Sequence, residues 1–215
     1  KFDELHLDRR IKLLETLDPL ENKTRYTYNR DNLPTAILDA NGGEKTLSYT
    51  RDGQLASYTD CSGKTTLLKY DALGQLSKTV NAPGATEYHY NAGHLSRLVY
   101  PDKTEDRFEH DAEGRLLSYT DALHRRTRWD YNEAGLIRQR HHPDDTTLTY
   151  HWDKLGQLER LRNENNSEAS FKYDPAGRLT RETGFDQQAT DYFYDHSSNQ
   201  PTRRLDGDRI TRFAY

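Results

Sequence analysis

Tyr70-Asp71-Ala72-Leu73-Gly74-Gln75-Leu76 decides the fold, because the chain keeps returning to it. Relatives stand at Tyr49-Thr50-Arg51-Asp52-Gly53-Gln54-Leu55, Tyr131-Asn132-Glu133-Ala134-Gly135-Leu136-Ile137, Trp152-Asp153-Lys154-Leu155-Gly156-Gln157-Leu158 and Tyr173-Asp174-Pro175-Ala176-Gly177-Arg178-Leu179. Weaker copies begin at Tyr28, at Tyr90, at His110 with Asp111 and Gly114, at Tyr194 with Asp195, and at Tyr215. The leading residues 28, 49, 70, 90, 110, 131, 152, 173, 194 and 215 are spaced by 21, with two steps of 20, and Leu7-Asp8 extends the series back by one degenerate copy. Ten units at a fixed period of this size are the signature of a repeat architecture.

Each unit holds two turn signals. The first follows the leading aromatic, as in Asp71-Ala72-Leu73-Gly74 and Asp111-Ala112-Glu113-Gly114; the second comes about ten residues later, as in Asp39-Ala40-Asn41-Gly42, Asp60-Cys61-Ser62-Gly63 and Asn81-Ala82-Pro83-Gly84. Asp or Asn can bond the backbone two residues on, and the closing Gly supplies a left-handed conformation, so four-residue hairpin loops are expected. Between turns the residues alternate as strands require: Thr24, Tyr26 and Tyr28 share one face, with Arg25 and Thr27 on the other. The leading position and the one two before it hold 12 of the 15 Tyr, both Trp, and Phe108, Phe171 and Phe213, which a helix would scatter around its axis. The reading is all-β: an antiparallel sheet of stacked hairpins, its aromatics in rows across the strands, each cross-strand pair adding about 0.2–1 kcal/mol. Twenty strands at ~4.8 Å would run on the order of 95 Å, and open sheets of that width curl.

Bulk properties agree. Only 33% of the 215 residues are hydrophobic and 31% are charged, and the mean hydropathy is -1.11. Such values lean toward disorder, yet 11% of the chain is aromatic. A thin sheet with two wetted faces reconciles the two. The net charge of -4 gives no global reason to expect nucleic acid, and no apolar run nears the ~20 residues that span a bilayer. Cys61 alone makes no internal disulfide. The N-terminus lacks a signal-peptide pattern, and with no Met anywhere the chain is expected to be part of something longer. No composition break or linker divides residues 1–215, so one array with no internal boundary is expected.

The units Tyr-Asp-Ala-Leu-Gly-Gln-Leu and Tyr-Asp-Pro-Ala-Gly-Arg-Leu resemble the YD repeats of the Rhs family, also found in C components of Tc toxins, bacterial wall-associated proteins and animal teneurins. The resemblance covers about Leu7 to Tyr215. It implies a β-strip that spirals into a hollow shell, enclosing in bacterial members a polymorphic C-terminal toxin exported through type VI secretion or a Tc complex. Its implied partners are flanking Rhs repeats and an encapsulated toxin polypeptide, with a secretion spike, immunity or chaperone protein reached through the longer parent. It implies no cofactor and no enzymatic activity in this stretch. A surface-exposed carbohydrate- or cell-binding module is the alternative, after the animal relatives.

Three stretches invite chemistry. Asp174-Pro175 matches the dipeptide at which family members self-cleave, but it lies in an ordinary repeat turn without the surrounding closing motif. His141-His142-Pro143-Asp144-Asp145 supplies ligand types for a transition metal, yet adjacent strand residues point to opposite faces and a solvated turn is the stronger reading. His124-Arg125-Arg126-Thr127-Arg128-Trp129 with Arg138 and Arg140 resembles a single-strand nucleic-acid patch. Trp129 already fills a repeat slot and Asp130, Glu133, Asp144 and Asp145 dilute the charge, so contact with an acidic cargo or a neighbouring strand is preferred. No nucleophile elbow, Walker loop or Cys pair is present, and no residue is assigned a catalytic or metal-binding role.

Overall fold

The computed structural model describes residues 4–7, 12–195 and 199–214, with side chains from Lys12 onward. The expected copies at Asp8 and Tyr215, and Ser198 in the turn after Tyr194, lie outside the described residues. Every regular element among the described residues is a strand. The chain forms two compact units, residues 1–106 and 107–215.

The first unit runs β1 (Glu4–Leu7), β2 (Leu13–Leu17), β3 (Lys23–Tyr28), β4 (Pro34–Leu38), β5 (Glu44–Tyr49), β6 (Leu55–Thr59), β7 (Thr65–Tyr70), β8 (Leu76–Asn81), β9 (Gly84–Asn91) and β10 (His94–Val99). Each strand pairs antiparallel with the next. The chain passes into the second unit within β11 (Glu105–His110). There follow β12 (Leu116–Thr120), β13 (Arg126–Tyr131), β14 (Ile137–His141), β15 (Thr147–Trp152), β16 (Leu158–Arg162), β17 (Glu168–Tyr173), β18 (Leu179–Thr183), β19 (Ala189–Tyr194), β20 (Pro201–Asp206) and β21 (Arg209–Arg212). From β11 to β21 the pairing is again antiparallel and strictly sequential.

The sheet has almost no core. Among the described residues only Asp106, Ser118, Thr127 and Ala169 are buried, and no side chain is completely enclosed. The two faces still differ. Along β3, β5 and β7 the residues in register with the leading Tyr are half-buried and those between are exposed. Stability in so thin a sheet must come from neighbour-to-neighbour terms, as in other repeat proteins.

Two expectations need correction. The loops are not four-residue. Asp71 N–H donates to Gln75 O at 2.8 Å and Gly74 N–H to Asp71 O at 3.1 Å, which leaves a three-residue loop closed on a left-handed fourth position. Asn81 pairs directly with Gly84, and Asn91 with His94, so those two connections shorten to two residues, which accounts for the two short repeats. Nor do the aromatics stack in rows. Equivalent slots of adjacent units lie two strands apart, about 9.6 Å, too far for ring contact. Among the described residues the close ring pairs are Phe108–Tyr119, centroids 5.2 Å apart, and Tyr150–Trp152 at 6.2 Å.

Candidate functional site: the braced turn and the two faces

What the leading aromatic does follows from a bulge. Tyr49 pairs with Leu55 and Ser48 with Ser57, so Ala56 is an extra residue on the returning strand. The same slip recurs at Tyr28, Tyr70, Tyr131, Trp152 and Tyr173. Beyond it the ladder to the next unit shortens: β6 and β7 pair at Thr59–Thr65, Tyr58–Thr66 and Ser57–Leu67 and stop there. The Leu55 carbonyl is left without a backbone donor on that side. Tyr70 fills the gap, its hydroxyl donating to Leu55 O at 2.9 Å.

This brace is general. Tyr28 donates to Leu13 O, Tyr49 to Pro34 O, Tyr90 to Leu76 O, Tyr131 to Leu116 O, Tyr173 to Leu158 O and Tyr194 to Leu179 O, at 2.7–3.0 Å. Trp152 does the same through its indole N–H to Ile137 O at 2.7 Å. The slot therefore needs a ring carrying a donor at its tip. That requirement was visible in the sequence but passed over: the leading slot holds Tyr, Trp or His, whereas the slot two before it accepts Phe108 and Phe171. The apolar residues after each turn, Leu55, Leu76, Leu116, Ile137, Leu158 and Leu179, contribute the acceptor carbonyls. Burial pushes the Tyr49, Tyr90, Tyr131 and Tyr173 phenols above their usual range.

Two of the rings are also covered by the residue that follows the preceding unit's turn glycine. Arg115 lies over Tyr131 at 5.0 Å and Arg178 over Tyr194 at 4.6 Å, favourable cation–π contacts. The same position also reaches the next turn's backbone: Gln54 Nε2 donates to Gly74 O, Gln75 Nε2 to Gly93 O, and Arg178, besides covering its ring, to Asp195 O. A Cβ on Gly177 would lie 3.1 Å from Gln157 Nε2, so close passage adds to the left-handed φ of 80° in requiring glycine there.

The turn carboxylates act inward. Asp71 Oδ1 accepts the N–H of Leu73 and of Gln75, both at 2.9 Å, and Asp111, Asp153 and Asp174 repeat the pattern. Gly53, Gly74, Gly114, Gly135, Gly156 and Gly177 all take the left-handed fourth position. The Arg178 N–H and guanidinium hold the Asp174 carboxyl below the usual range. Asp174-Pro175 thus sits in a turn built like its neighbours.

The candidate metal residues diverge. His141 Nε2 lies 2.9 Å from Asp130, its Nδ1 faces the Thr147 hydroxyl at 3.2 Å, and Asp144 holds the Thr146 N–H and hydroxyl. No cluster of three potential ligands forms among the described residues. In the basic stretch Arg125 pairs with Asp121, Arg126 with Glu109 and Arg138 with Asp130. Trp129 pairs across the strand with Arg140, whose guanidinium lies 5.9 Å over the ring. Strand alternation sends Arg126 and Arg128 to the other face.

A repeating antiparallel hairpin, bulged once and braced to its neighbour by an aromatic donor, defines a YD-repeat wall. The chain belongs to the teneurin YD-shell family, whose model matches residues 58–215. It is 34% identical over 153 residues to the double-stranded DNA deaminase toxin A of Burkholderia cenocepacia (strain H111), spanning 70% of this chain but only 11% of that protein. Its fold is similar to that in a crystal structure of TcdB2-TccC3-TEV, with a TM-score of 0.71 and 17% identity over 95% of this chain and 12% of that one. TcdB2-TccC3 without its hypervariable C-terminal region gives 0.65 and 17% over 98% and 15%. The Tc holotoxin pore of Photorhabdus luminescens gives 0.63 and 14% over 95% and 14%. The chain thus spans roughly a tenth to a seventh of these relatives.

Proposed function

We propose that residues 1–215 are one continuous YD-repeat array acting as a non-catalytic segment of a bacterial toxin shell. On this reading flanking repeats complete a wall that encloses a toxin polypeptide and shields it until delivery from the cell by type VI secretion or a Tc-type complex. The observation carrying the proposal is the braced, coreless sheet. A structure with hardly a buried residue encloses nothing within itself, and the repeated side chains named above either close a turn or join one hairpin to the next. Membership of the YD-shell family and the likeness to toxin-associated folds support it. The repeat residues Tyr28, Tyr49, Tyr70, Tyr90, Tyr131, Trp152, Tyr173 and Tyr194 are then construction elements.

The test is protease protection in the full-length parent. The polypeptide beyond the repeats should resist digestion while the array is intact, and become sensitive when Tyr131, Trp152 and Tyr173 are all replaced by Phe. Equal sensitivity in the two proteins would overturn the shell reading.

A further inference from the structure

The face turned away from the leading aromatics has a use that the repeat itself does not explain. Cross-strand pairing connects it without a break from β13 to β21, through Arg128–His141, Gln139–Thr149, His151–Arg160, Ser170–Thr183, Arg181–Asp191 and Arg203–Arg212. Arg126 and Arg128 stand on it from β13, Arg160 and Arg162 from β16, Lys172 from β17 and Arg181 from β18, with Arg203 and Arg212 at the far end. Against these eight cations stand four carboxylates, Asp130, Glu168 and Asp191 on the same strands and Glu109, which holds Arg126 from β11, a surplus of four in a chain whose net charge is -4. The bulge residues Arg138 and Glu159 cancel. The same face from β2 to β10 carries Lys23, Arg25, Lys69, Lys78 and Arg97 against Glu15, Glu44 and Glu87, a surplus of two. There Glu15 holds both Lys23 and Arg25, and Glu87 holds Lys78.

In the second unit Glu168 is shared by Arg160 and Arg162, and Asp191 lies 3.5 Å from Arg181. Arg128, Lys172 and Arg212 are exposed and meet no carboxylate among the described residues. The repeat does not fix cations here, since the equivalents of Arg128, Lys172 and Arg160 in the first unit vary, with Arg25 and Leu67, Lys69 and Ser48, and Lys78 and Ser57 at the same positions.

Two observations narrow the ligand. Single-stranded nucleic acid is held by cations with rings on which bases stack. Here alternation puts Trp129, Tyr131, Tyr150, Trp152, Phe171 and Tyr173 on the opposite face; of the Phe, Tyr and Trp rings of β13 to β19 only that of Phe193 faces this way, covered by Arg203 at 3.8 Å, beside the smaller imidazoles of His141 and His151. The spacing fits a different polymer. Arg126/Arg128 and Arg160/Arg162 are i, i+2 pairs, about 6.7 Å apart, which is also the repeat of side chains along one edge of an extended polypeptide.

We propose that the cationic face of β13 to β21 is a docking surface for an extended, acidic polypeptide segment. The proposal stands on the face itself and does not require the shell reading. Attraction of this kind is salt-dependent, because all of these cations but the half-buried Arg160 are solvent-exposed.

The test is fluorescence anisotropy of labelled poly-L-glutamate titrated with the 215-residue chain, beside an oligothymidylate of equal charge. Saturable binding to the glutamate polymer is expected, weakened at least tenfold by Arg128→Gln with Lys172→Gln and Arg212→Gln. Removing the same charge elsewhere, by Lys69→Gln, Lys103→Gln and Lys154→Gln, should change it less than twofold. Glu168→Gln with Asp191→Asn, which releases three arginines, should tighten binding and keeps the proposal testable if the first variant folds poorly. Equal loss in the two lysine and arginine sets, no tightening in the carboxylate variant, or tighter binding to the oligothymidylate would each overturn it.

Discussion

Within each unit the two ends of the hairpins are built from the same loop and stabilised differently. At the ends that follow the leading aromatic, six of the seven left-handed positions in three-residue loops are glycine, with Asn32 the exception. At the opposite ends only Gly42 and Gly63 are; Glu21, Lys103, His124, Asp145, Asn166 and Gln187 take positive φ between 59° and 71°. A non-glycine residue there costs roughly 1–2 kcal/mol, less for Asn and Asp. Those ends compensate locally. Where the first turn residue is Tyr100, His142 or Gly184 and cannot cap the loop, an aspartate two residues later does so, Asp102, Asp144 and Asp186 each accepting the N–H of the residue after the left-handed one. The aromatic ends instead recruit the neighbouring unit through the hydroxyl brace and the covering side chain. One rim is glycine-rich and coupled; the other is strained and mostly closed on itself, with Gln187 Nε2 reaching the neighbouring hairpin at Glu168 O.

The largest effect should come from uncoupling the first rim. Tyr131→Phe with Tyr173→Phe removes two donors and leaves the Leu116 and Leu158 carbonyls unmatched, at a cost of about 1 kcal/mol or more each. Urea denaturation should show a loss of about 2–3 kcal/mol, whereas Phe171→Leu, on the same face, should cost clearly less. Equal losses would mean the rings act by bulk alone.

Exchanging the left-handed residues should give smaller shifts of opposite sign. Gly156→Gln should destabilise by roughly 1 kcal/mol, and His124→Gly should stabilise by somewhat less, because glycine relieves the φ but adds freedom to the unfolded chain. If both substitutions destabilise, the strain assigned to the second rim is not there.

The smallest effects near neutrality, and the sharpest separation of the rims, should come from pH. The Ser62 hydroxyl depresses the Asp60 carboxyl, the Arg125 guanidinium that of Asp121, and the Arg178 N–H that of Asp174. A depressed folded pKa means stability that is present above the unfolded value near 4 and lost as pH falls through the folded value. Acid should therefore loosen both rims. The brace phenols are shifted the other way, by burial, so their contribution holds below pH ~10 and is lost as pH rises through their raised values. Tyr192, half-buried and bonded to Glu182, is pushed up to about 12. Alkaline titration followed by hydrogen exchange should open the hairpin ends near Tyr131 and Tyr173 before those near Asp121 and Asn163. Simultaneous opening would remove the distinction.

The strands, the period and the turn carboxylates were legible in the sequence because each is a local signal repeated until it could not be chance. Asp71 needs nothing beyond Leu73 and Gln75 to explain it. The brace was not legible, because its acceptor lies 14 or 15 residues back and is exposed only by a bulge that no residue type announces. Ser77, Ser96 and Thr180 at the bulge, whose hydroxyls donate to the Lys69, His89 and Lys172 carbonyls, are a faint hint. The mid-unit turns misled for a related reason: Asn81-Ala82-Pro83-Gly84 has the composition of the longer loop, but Gly84, at φ 134°, belongs to a strand whose Cβ side is filled by Pro101. The uneven charge of the faces was hidden by the net value of -4, which averages acidic turns with a basic sheet.

Within each compact unit the brace joins a hairpin to its predecessor once, and among the described residues the strands there pair only with their sequence neighbours. Under tension applied to its ends, a chain so connected has no shared core to rupture. It should peel hairpin by hairpin from an edge, each event breaking one phenol contact and two short ladders and releasing one repeat of 20 or 21 residues, about 70 Å of extended chain. Such a wall yields in equal, separately reversible steps, and could be threaded out or rewound one repeat at a time.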